Sequence, residues 1–157
     1  YPWIACDEVP QFMKCLLQRV AQASVSVDHT IVGEIQRGLL VFVGVEPGDT
    51  DQSVLRMAKR ILSYRIFPDD AGKMNLNVQQ AGGAVLLVSQ FTLAADTTTG
   101  NRPSFSSAAP AEQASRLCED LAKALAMDNL HVEVGQFGAD MQVALVNDGP
   151  VTFLLSV

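Results

Sequence analysis

The sequence predicts an α+β fold in which antiparallel-rich β-sheets form a barrel-like or two-sheet core covered by two helices. Strand-length apolar runs recur along the chain, whereas only two segments have apolar residues at helical spacing. The runs at 39–43 and 84–88 are apolar on successive residues, so both faces of these strands should be buried. A second sheet, a second subunit or both are therefore expected to cover the face that the helices leave free.

The first part of the chain predicts strands. Residues 14–27 end in alternating apolar and polar residues and are interpreted as two strands, followed by a polar turn at 28–30. A further strand is predicted at 31–35, and Gly38 separates it from the buried strand at 39–43.

A helix is predicted at 51–64, after a break at Pro47-Gly48-Asp49-Thr50. Its apolar residues share one face and its cations lie largely off that face, which is typical of a helix packed on a sheet. The apolar face consists of Val54, Ala58, Ile61 and Leu62, and the cations are Arg56, Lys59 and Arg60.

Turn residues and periodicity predict the remaining elements. Turn clusters at 67–72 and 82–83 precede a central strand at 84–93, whose tip is polar. Residues 94–109 form a loop of about sixteen residues, longer than most connections, and are expected to be functional or mobile. The second helix follows with Pro110 in its first turn, and its apolar stripe consists of Ala114, Leu117, Cys118, Leu121 and Leu125. The last strands are predicted at 131–134, 141–146 and 151–155.

A chain of 157 residues with 48% hydrophobic content buries enough surface for one domain but too little for two. That domain is predicted at 13–157. Residues 1–12 show no clear periodicity and no basic segment followed by an apolar one, so they are interpreted as a tag or upstream extension. No run approaches the roughly 20 apolar residues of a membrane span, and no membrane association is expected.

Charge and cysteine content restrict the possible functions. A net charge of −6 argues against broad, sequence-independent binding of nucleic acid, which depends on Lys and Arg neutralising phosphates. Any contact with RNA must therefore be local. Three scattered cysteines, Cys6, Cys15 and Cys118, do not suggest a disulfide framework or a metal site, which favours a cytoplasmic protein without metal or cofactor.

The common catalytic signatures are absent from the sequence, including GxSxG, HExxH and the phosphate-binding glycine loops. His29 falls in a predicted turn and His131 at the start of a strand. Both are interpreted as structural or solvent-exposed, and a His-based triad is not expected. Asp96 and Asp140 are possible bases, although isolated carboxylates are usually solvated.

Polar clusters instead stand at the edges of apolar strands, at 89–92, 100–105 and 147–150, where loops commonly hold functional sites. The hydroxyls of Ser89 and Thr92 could simply satisfy a strand end, or could act with a base that the fold supplies. Backbone amides could also stabilise an oxyanion without a titrating side chain. The segment 147–150 could be a plain turn, or a place where glycine lets the backbone approach a ligand closely.

Two of these clusters resemble the paired signature motifs of the D-aminoacyl-tRNA deacylases: Ser89-Gln90-Phe91-Thr92-Leu93 and Asn147-Asp148-Gly149-Pro150-Val151-Thr152. Three further segments resemble other recurrent stretches of that family in the same order, at 72–75, 101–105 and 137–141. The resemblance covers 13–157 and shows no departure in the two signature motifs.

The resemblance implies a small cytoplasmic homodimeric hydrolase that cleaves the ester between a D-amino acid and the 3′ acceptor end of tRNA. Two subunits would build each site together, with the Gly149-Pro150 peptide in cis and inserted beside residues 89–92 of the partner subunit. A fixed backbone wall would then clash with an L-side chain while the direction of a D-side chain stays open.

The resemblance also implies roles for individual residues. Phe91 and Thr92 would make main-chain contacts near the scissile carbonyl. Ser89 and Gln90 would shape the pocket, which Met141 would line. The 2′-hydroxyl of the terminal ribose would help to activate water, and a covalent role for Thr92 is the minor alternative.

Arg19, Lys73 and Arg102 are the predicted contacts to acceptor-end phosphates, because an acidic RNA-binding protein must supply local cations. Ordinary surface charge is the alternative for each of them. Two other functions compete with the hydrolase. One is a non-catalytic dimeric nucleic-acid-binding module on the same fold. The other is a metal-dependent esterase, for which ligands at recognisable spacing are missing.

Overall fold

The computed structural model describes residues 12–127 and 129–157, so the segment predicted as a tag or extension, apart from Phe12, lies outside the described residues. The described residues form eight strands, two helices and one 3-10 turn. In chain order these are β1 (Lys14–Val27), β2 (Thr30–Ile35), β3 (Gly38–Gly44), α1 (Asp51–Ser63), β4 (Phe67–Pro68), β5 (Met74–Leu76), β6 (Ala84–Ser89), the 3-10 turn (Phe91–Ala94), α2 (Ala111–Ala126), β7 (Val132–Val134) and β8 (Gln142–Ser156).

The long strand β1 organises the main sheet. One of its edges pairs antiparallel with β8 from Lys14 to Ser26. Its other edge pairs first with β3, up to Val20, and then with β2, from Ala23 onward. Strand β6 lies parallel to β3, and β7 lies parallel to β6, so the sheet is mixed and its parallel strands lie at one end of the strand order.

The sheet curls until β2 approaches β7. A Cβ atom on Gly33 of β2 would lie 2.7 Å from the carbonyl oxygen of Val134 of β7, so only glycine allows this contact between the strands. The resulting barrel is nearly closed, and its interior holds a cluster of buried side chains that includes Val20, Val25, Leu40, Leu86 and Val88. The predicted α+β class with a barrel-like core is confirmed, and the homodimer stays a prediction.

Both helices cover the outer face of this barrel. Leu39, Val41 and Val43 of β3 point towards the helices, whereas Leu40 and Phe42 point inward. This alternation confirms that the strand at 39–43 is buried on both faces. On the helices, the residues that complete the outer core are Val54, Met57, Ala58 and Ile61 of α1 and Leu117, Leu121 and Leu125 of α2.

The helix boundaries differ little from the prediction. Helix α1 begins after Thr50, whose N–H donates to the Ser53 hydroxyl at 3.1 Å, and it ends at Ser63 with Tyr64 as the C-cap. Helix α2 begins at Ala111, with Pro110 immediately before it as the N-cap and not inside the first turn. Proline fits there because the N-cap needs no helical N–H bond.

Two predicted pairs of strands are each one strand. Residues 14–27 form the single strand β1, because both of its halves pair with β8 and only small register shifts near Val20 interrupt the ladder. The predicted strands at 141–146 and 151–155 are likewise one strand, β8, which begins at Gln142, so the segment 147–150 is a bulge and not a turn. Sequence periodicity cannot distinguish a bulged strand from two strands joined by a turn.

The predicted strand at 84–93 is also shorter than expected. Strand β6 ends at Ser89, and the N–H of Gln90 donates to the carbonyl of Val43 at 2.7 Å. The chain then turns in the 3-10 segment Phe91–Ala94, which places the polar tip on a turn beside the end of β3.

Candidate active site

The candidate site lies where the parallel strands β3 and β6 end side by side. Val43 is the ladder partner of Ser89, and the N–H of Gln90 donates to the carbonyl of Val43. Within the 3-10 turn, the N–H of Leu93 donates to the carbonyl of Gln90 at 3.1 Å. The backbone of 89–92 is therefore fixed by the sheet on one side and by its own turn on the other.

A cavity of about 640 Å³ opens beside this turn. Four parts of the chain surround it: the ends of β3 and β6, the segment that leads into α2, the first half of α2, and the loop between β7 and β8. The lining residues are Val43, Val45, 88–91, Phe105, 108–111, Ala114, Cys118, 137–141 and Val143. Most of these side chains are apolar, and the volume is in the range of small-molecule sites.

Aromatic rings form part of the wall. The rings of Phe91 and Phe105 lie 5.2 Å apart between centroids and are tilted by 50°. Phe91 is 62% exposed and Phe137, from the opposite loop, is 41% exposed. Large exposed rings around a concave site provide apolar surface that a ligand can cover.

The cavity offers almost no acid-base chemistry. Among its described lining residues the ionisable ones are Asp140, which is exposed, and Cys118. Burial raises the pKa of the Cys118 thiol to about 12, so this thiol stays neutral at physiological pH and is a poor nucleophile. The hydroxyl of Thr92 accepts a hydrogen bond from the Gln90 amide and has no base beside it among the contacts described. The site therefore presents backbone, amide and apolar groups.

Both histidines lie outside this cavity. His29 is exposed in the turn after β1, with a φ of 65°, and His131 is exposed with its Nε2 atom 3.9 Å from Glu133. Asp96 is also outside the cavity, and its carboxylate accepts two hydrogen bonds from Thr98 that lower its pKa. Asp96 is therefore a loop-capping carboxylate in this structure.

The Gly149-Pro150 bulge forms an exposed corner on β8. Both residues are exposed, their peptide bond is cis, and Gly149 has a φ of +136°. The side chain of Asn147 spans the bulge, because its Oδ1 atom accepts the N–H of Val151 at 3.1 Å. The corner does not line the cavity described above, so one chain holds the two signature motifs at separate places.

Similarity to known proteins agrees with this pair of motifs. A family model described as D-Tyr-tRNA(Tyr) deacylase matches residues 16–156. The chain belongs to this deacylase family. A D-aminoacyl-tRNA deacylase of Pectobacterium atrosepticum is 57% identical over 143 residues, which are 91% of this chain and 99% of that protein. The predictions of the family and of a hydrolytic enzyme are confirmed.

Two solved structures resemble the deacylase chain. One, titled c-Myc DNA Unwinding Element Binding Protein, has a TM-score of 0.85 and 38% identity, and covers 90% of this chain and 97% of that one. The other, titled as a probable eukaryotic D-amino acid tRNA deacylase, has a TM-score of 0.75 and 17% identity, and covers 92% and 99%. The second likeness supports the fold alone.

The deacylase motif at 89–92 is only partly inside the cavity. Ser89, Gln90 and Phe91 line it together with Met141, whereas Thr92 is exposed on the turn beside it. The structure thus brings four of the predicted site residues together in one chain. Gly149 and Pro150 are not among them.

The three predicted phosphate contacts differ from one another. Arg19 has only 11% of its side chain exposed, and its guanidinium donates to the carbonyls of Ile66 at 2.9 Å and Asp148 at 3.1 Å. This placement favours a role in holding the corner. Lys73 is exposed at the tip of the β4–β5 hairpin, and Arg102 is exposed in the loop that leads to Phe105.

Several cavity residues carry no recognisable signal in the sequence. Ala114 and Cys118 were assigned to the apolar stripe of α2, yet they are only half-buried because they border the cavity. Val43 reads as an ordinary core residue. Phe105 and Phe137 lie in segments that the family resemblance covers, so the resemblance is the signal that identifies them.

Within 12–127 and 129–157, no three His, Cys, Asp or Glu side chains are grouped as metal ligands. Over the same residues, no helix has the length and apolarity needed to cross a bilayer.

Proposed function

We propose that this protein hydrolyses the ester bond of D-aminoacyl-tRNA and releases the free D-amino acid and tRNA. Family membership and the names of its relatives support this reaction. The observation that carries the proposal is the cavity at 88–91, which has a fixed backbone and apolar walls but, among its described lining residues, no nucleophile paired with a base. Such a site suits a reaction in which the substrate supplies part of the chemistry.

In the proposed mechanism, water attacks the ester carbonyl with help from the 2′-hydroxyl of the terminal ribose. The main chain at Phe91 and Thr92 contacts the developing oxyanion, which backbone N–H groups can stabilise without any titrating side chain. Ser89 and Gln90 shape the pocket, and Met141 forms part of its wall. A covalent step through the Thr92 hydroxyl is disfavoured because a hydroxyl needs an adjacent base.

We place the Gly149-Pro150 corner of a second subunit in this site. The corner is an exposed bulge and the cavity is concave and open, so two copies could exchange corners across a twofold axis. In this arrangement the backbone of the corner blocks the direction of an L-side chain. Rejection by a clash requires no specificity pocket, which fits an enzyme that accepts many D-side chains.

A direct test compares D-tyrosyl-tRNA with L-tyrosyl-tRNA, using the chain from Met13 onward. Selective release of D-tyrosine is expected. Comparable cleavage of the L-substrate would exclude the proposed selectivity. Replacing both histidines with glutamine should leave the rate within about twofold, since neither lines the cavity, and treatment with a chelator should leave it unchanged.

Oligomeric state is measured separately. Sedimentation equilibrium is expected to give a dimer, and a monomer that retains full activity would remove the shared-site part of the proposal. Lys73 and Arg102 remain the proposed contacts for phosphates of the acceptor end, and the cytoplasm is the proposed location.

One observation favours a second candidate function. The 38% identical structure is titled as a DNA-binding protein, which supports a non-catalytic nucleic-acid-binding module on this fold. A folded dimer that binds nucleic acid but releases no amino acid from either tyrosyl-tRNA would favour this alternative over the hydrolase.

A further inference from the structure

The outer face of α1 carries a concentration of positive charge that the reaction does not use. Residues 56–65 contain four of the eleven Lys and Arg residues of the chain and no Asp or Glu, although the net charge is −6. Arg56, Lys59 and Arg60 follow helical spacing on one face, and Arg65 lies just beyond the helix. We call these four residues the cationic face.

The cationic face is available for binding. All four residues are exposed, and no carboxylate of the described residues lies within 4 Å of their charged groups. Arg60 stacks over the ring of Tyr64 at 5.3 Å, so its charge is positioned but not neutralised. On α2, by contrast, Arg116 contacts both Asp51 and Asp120.

The cationic face ends next to the exposed corner. The Arg19 guanidinium donates to the carbonyl of Ile66, which directly follows Arg65, and to the carbonyl of Asp148, which directly precedes Gly149. The ring of Tyr64 also packs edge-on against Phe153 of β8, with 5.4 Å between centroids. A partner at the corner would therefore lie close to this end of α1.

We propose that the cationic face binds the phosphate backbone of the tRNA acceptor stem whose 3′ end occupies the partner subunit's cavity. This inference rests on the proposed function, because it takes the corner to enter that cavity. The end of α1 then stands at the mouth of the partner's cavity, where the stem must leave. Four exposed cations without a carboxylate of the described residues within 4 Å, of which Arg56 has a longer-range attraction to Asp49, match a polyanion on this acidic protein.

The experiment measures hydrolysis of full-length D-tyrosyl-tRNA and of the D-tyrosyl ester of adenosine, which has no stem. The variant R56Q/K59Q removes two cations that make no described side-chain contact. For the full-length substrate we expect KM to rise on the order of tenfold at low salt. The slope of log KM against log salt should fall by about 1.4–1.8, because each of the two lost phosphate contacts lowers it by about 0.7–0.9.

The controls separate this inference from the proposed function. R56Q/K59Q should hydrolyse the adenosine ester like the wild type, and Arg116→Gln, which removes a cation already paired, should stay within about twofold on both substrates. If KM and the salt slope for full-length tRNA are unchanged, the cationic face does not bind the acceptor stem and the inference is overturned. An acidic protein partner would then fit the cationic face better. Equal losses on both substrates would also overturn it. A wild type that hydrolyses neither substrate would refute the proposed function itself.

Discussion

The two signature segments of this chain, 89–92 and 147–150, differ in their surroundings and in the contacts that hold them. The segment at 89–92 borders a concave cavity and is held by the ladder of β3 and by a 3-10 turn. The segment at 147–150 is an exposed bulge in the middle of β8, and one guanidinium and one amide side chain hold it. The segment at 89–92 could thus receive a ligand, and the segment at 147–150 could enter a cavity. One chain holds these two segments at separate places. This separation supports the proposal that two chains complete one site.

Changing the corner should have the largest effect. Gly149 has a φ of +136°, and a Cβ atom there would lie 2.6 Å from Cγ2 of Val151 and 3.2 Å from Nη2 of Arg19. Gly149→Ala should therefore displace the corner and lower kcat/KM for D-tyrosyl-tRNA at least about a hundredfold, with strain of about 1–3 kcal/mol in the free energy of unfolding. Gly82→Ala is the matched control, because its φ is +68° but nothing lies within 4 Å of the added Cβ. Activity that survives Gly149→Ala would show that the corner takes no part in the reaction.

Filling the cavity should have the next largest effect. Ala114 is half-buried on the cavity wall, so the side chain of Ala114→Leu would occupy space in which we propose that substrate and the partner's corner bind. We expect kcat/KM to fall at least about tenfold while the melting temperature changes little. Ala126→Leu adds the same side chain at an exposed position near the end of α2 and should leave the activity unchanged.

Mixing these two variants tests whether the regions act between chains. A heterodimer of Gly149→Ala and Ala114→Leu has one site with an intact cavity and an intact corner. After random exchange of subunits, about a quarter of the wild-type activity should return, because half of the dimers are mixed and each has one working site. No recovery after verified exchange would mean that each chain builds its site alone.

Loosening the corner without altering it should have a smaller effect. Arg19→Gln removes the donor to the carbonyls of Ile66 and Asp148 and should cost about 1.5–3 kcal/mol in urea unfolding, with a loss of activity of about tenfold. Arg19→Lys retains the charge but cannot bridge both carbonyls. If Arg19 acts by contacting phosphate, Arg19→Lys should keep both the activity and its salt dependence. If it holds the corner, Arg19→Lys should resemble Arg19→Gln.

The smallest expected effect concerns the thiol at the back of the cavity. With a pKa of about 12, roughly one Cys118 thiol in ten thousand is ionised at pH 8, so iodoacetamide should react slowly in the folded protein. The rate should rise with pH, without a plateau below pH 10, and should increase strongly in urea. Rapid alkylation of the native protein at pH 7 would show that the cavity wall around Cys118 is not packed as described. Cys15, which is fully buried, should react only after unfolding.

Local patterns in the sequence are sufficient to predict many of the helices and strands of this protein. Turn residues and a helical spacing of apolar side chains placed α1 within one residue of its observed end, and the apolar run at 39–43 predicted a strand covered on both faces. These features follow from neighbours along the chain, so periodicity is sufficient to find them. The motifs at 89–92 and 147–150 were visible for the same reason.

The surroundings of those motifs depend on tertiary packing, which the sequence patterns do not show. Continuity of β1 and of β8 depends on pairing between residues more than a hundred positions apart, and no local pattern records such pairing. The long-range contacts of Arg19, which is a predicted phosphate ligand, place its largely buried guanidinium against the backbone of the corner. Likewise, Ala114 and Cys118 look like core residues in the sequence, and only the packing of α2 beside the loop at 137–141 makes them the wall of a cavity. Concavity is a property of how elements pack against one another, so it cannot be read from one element alone.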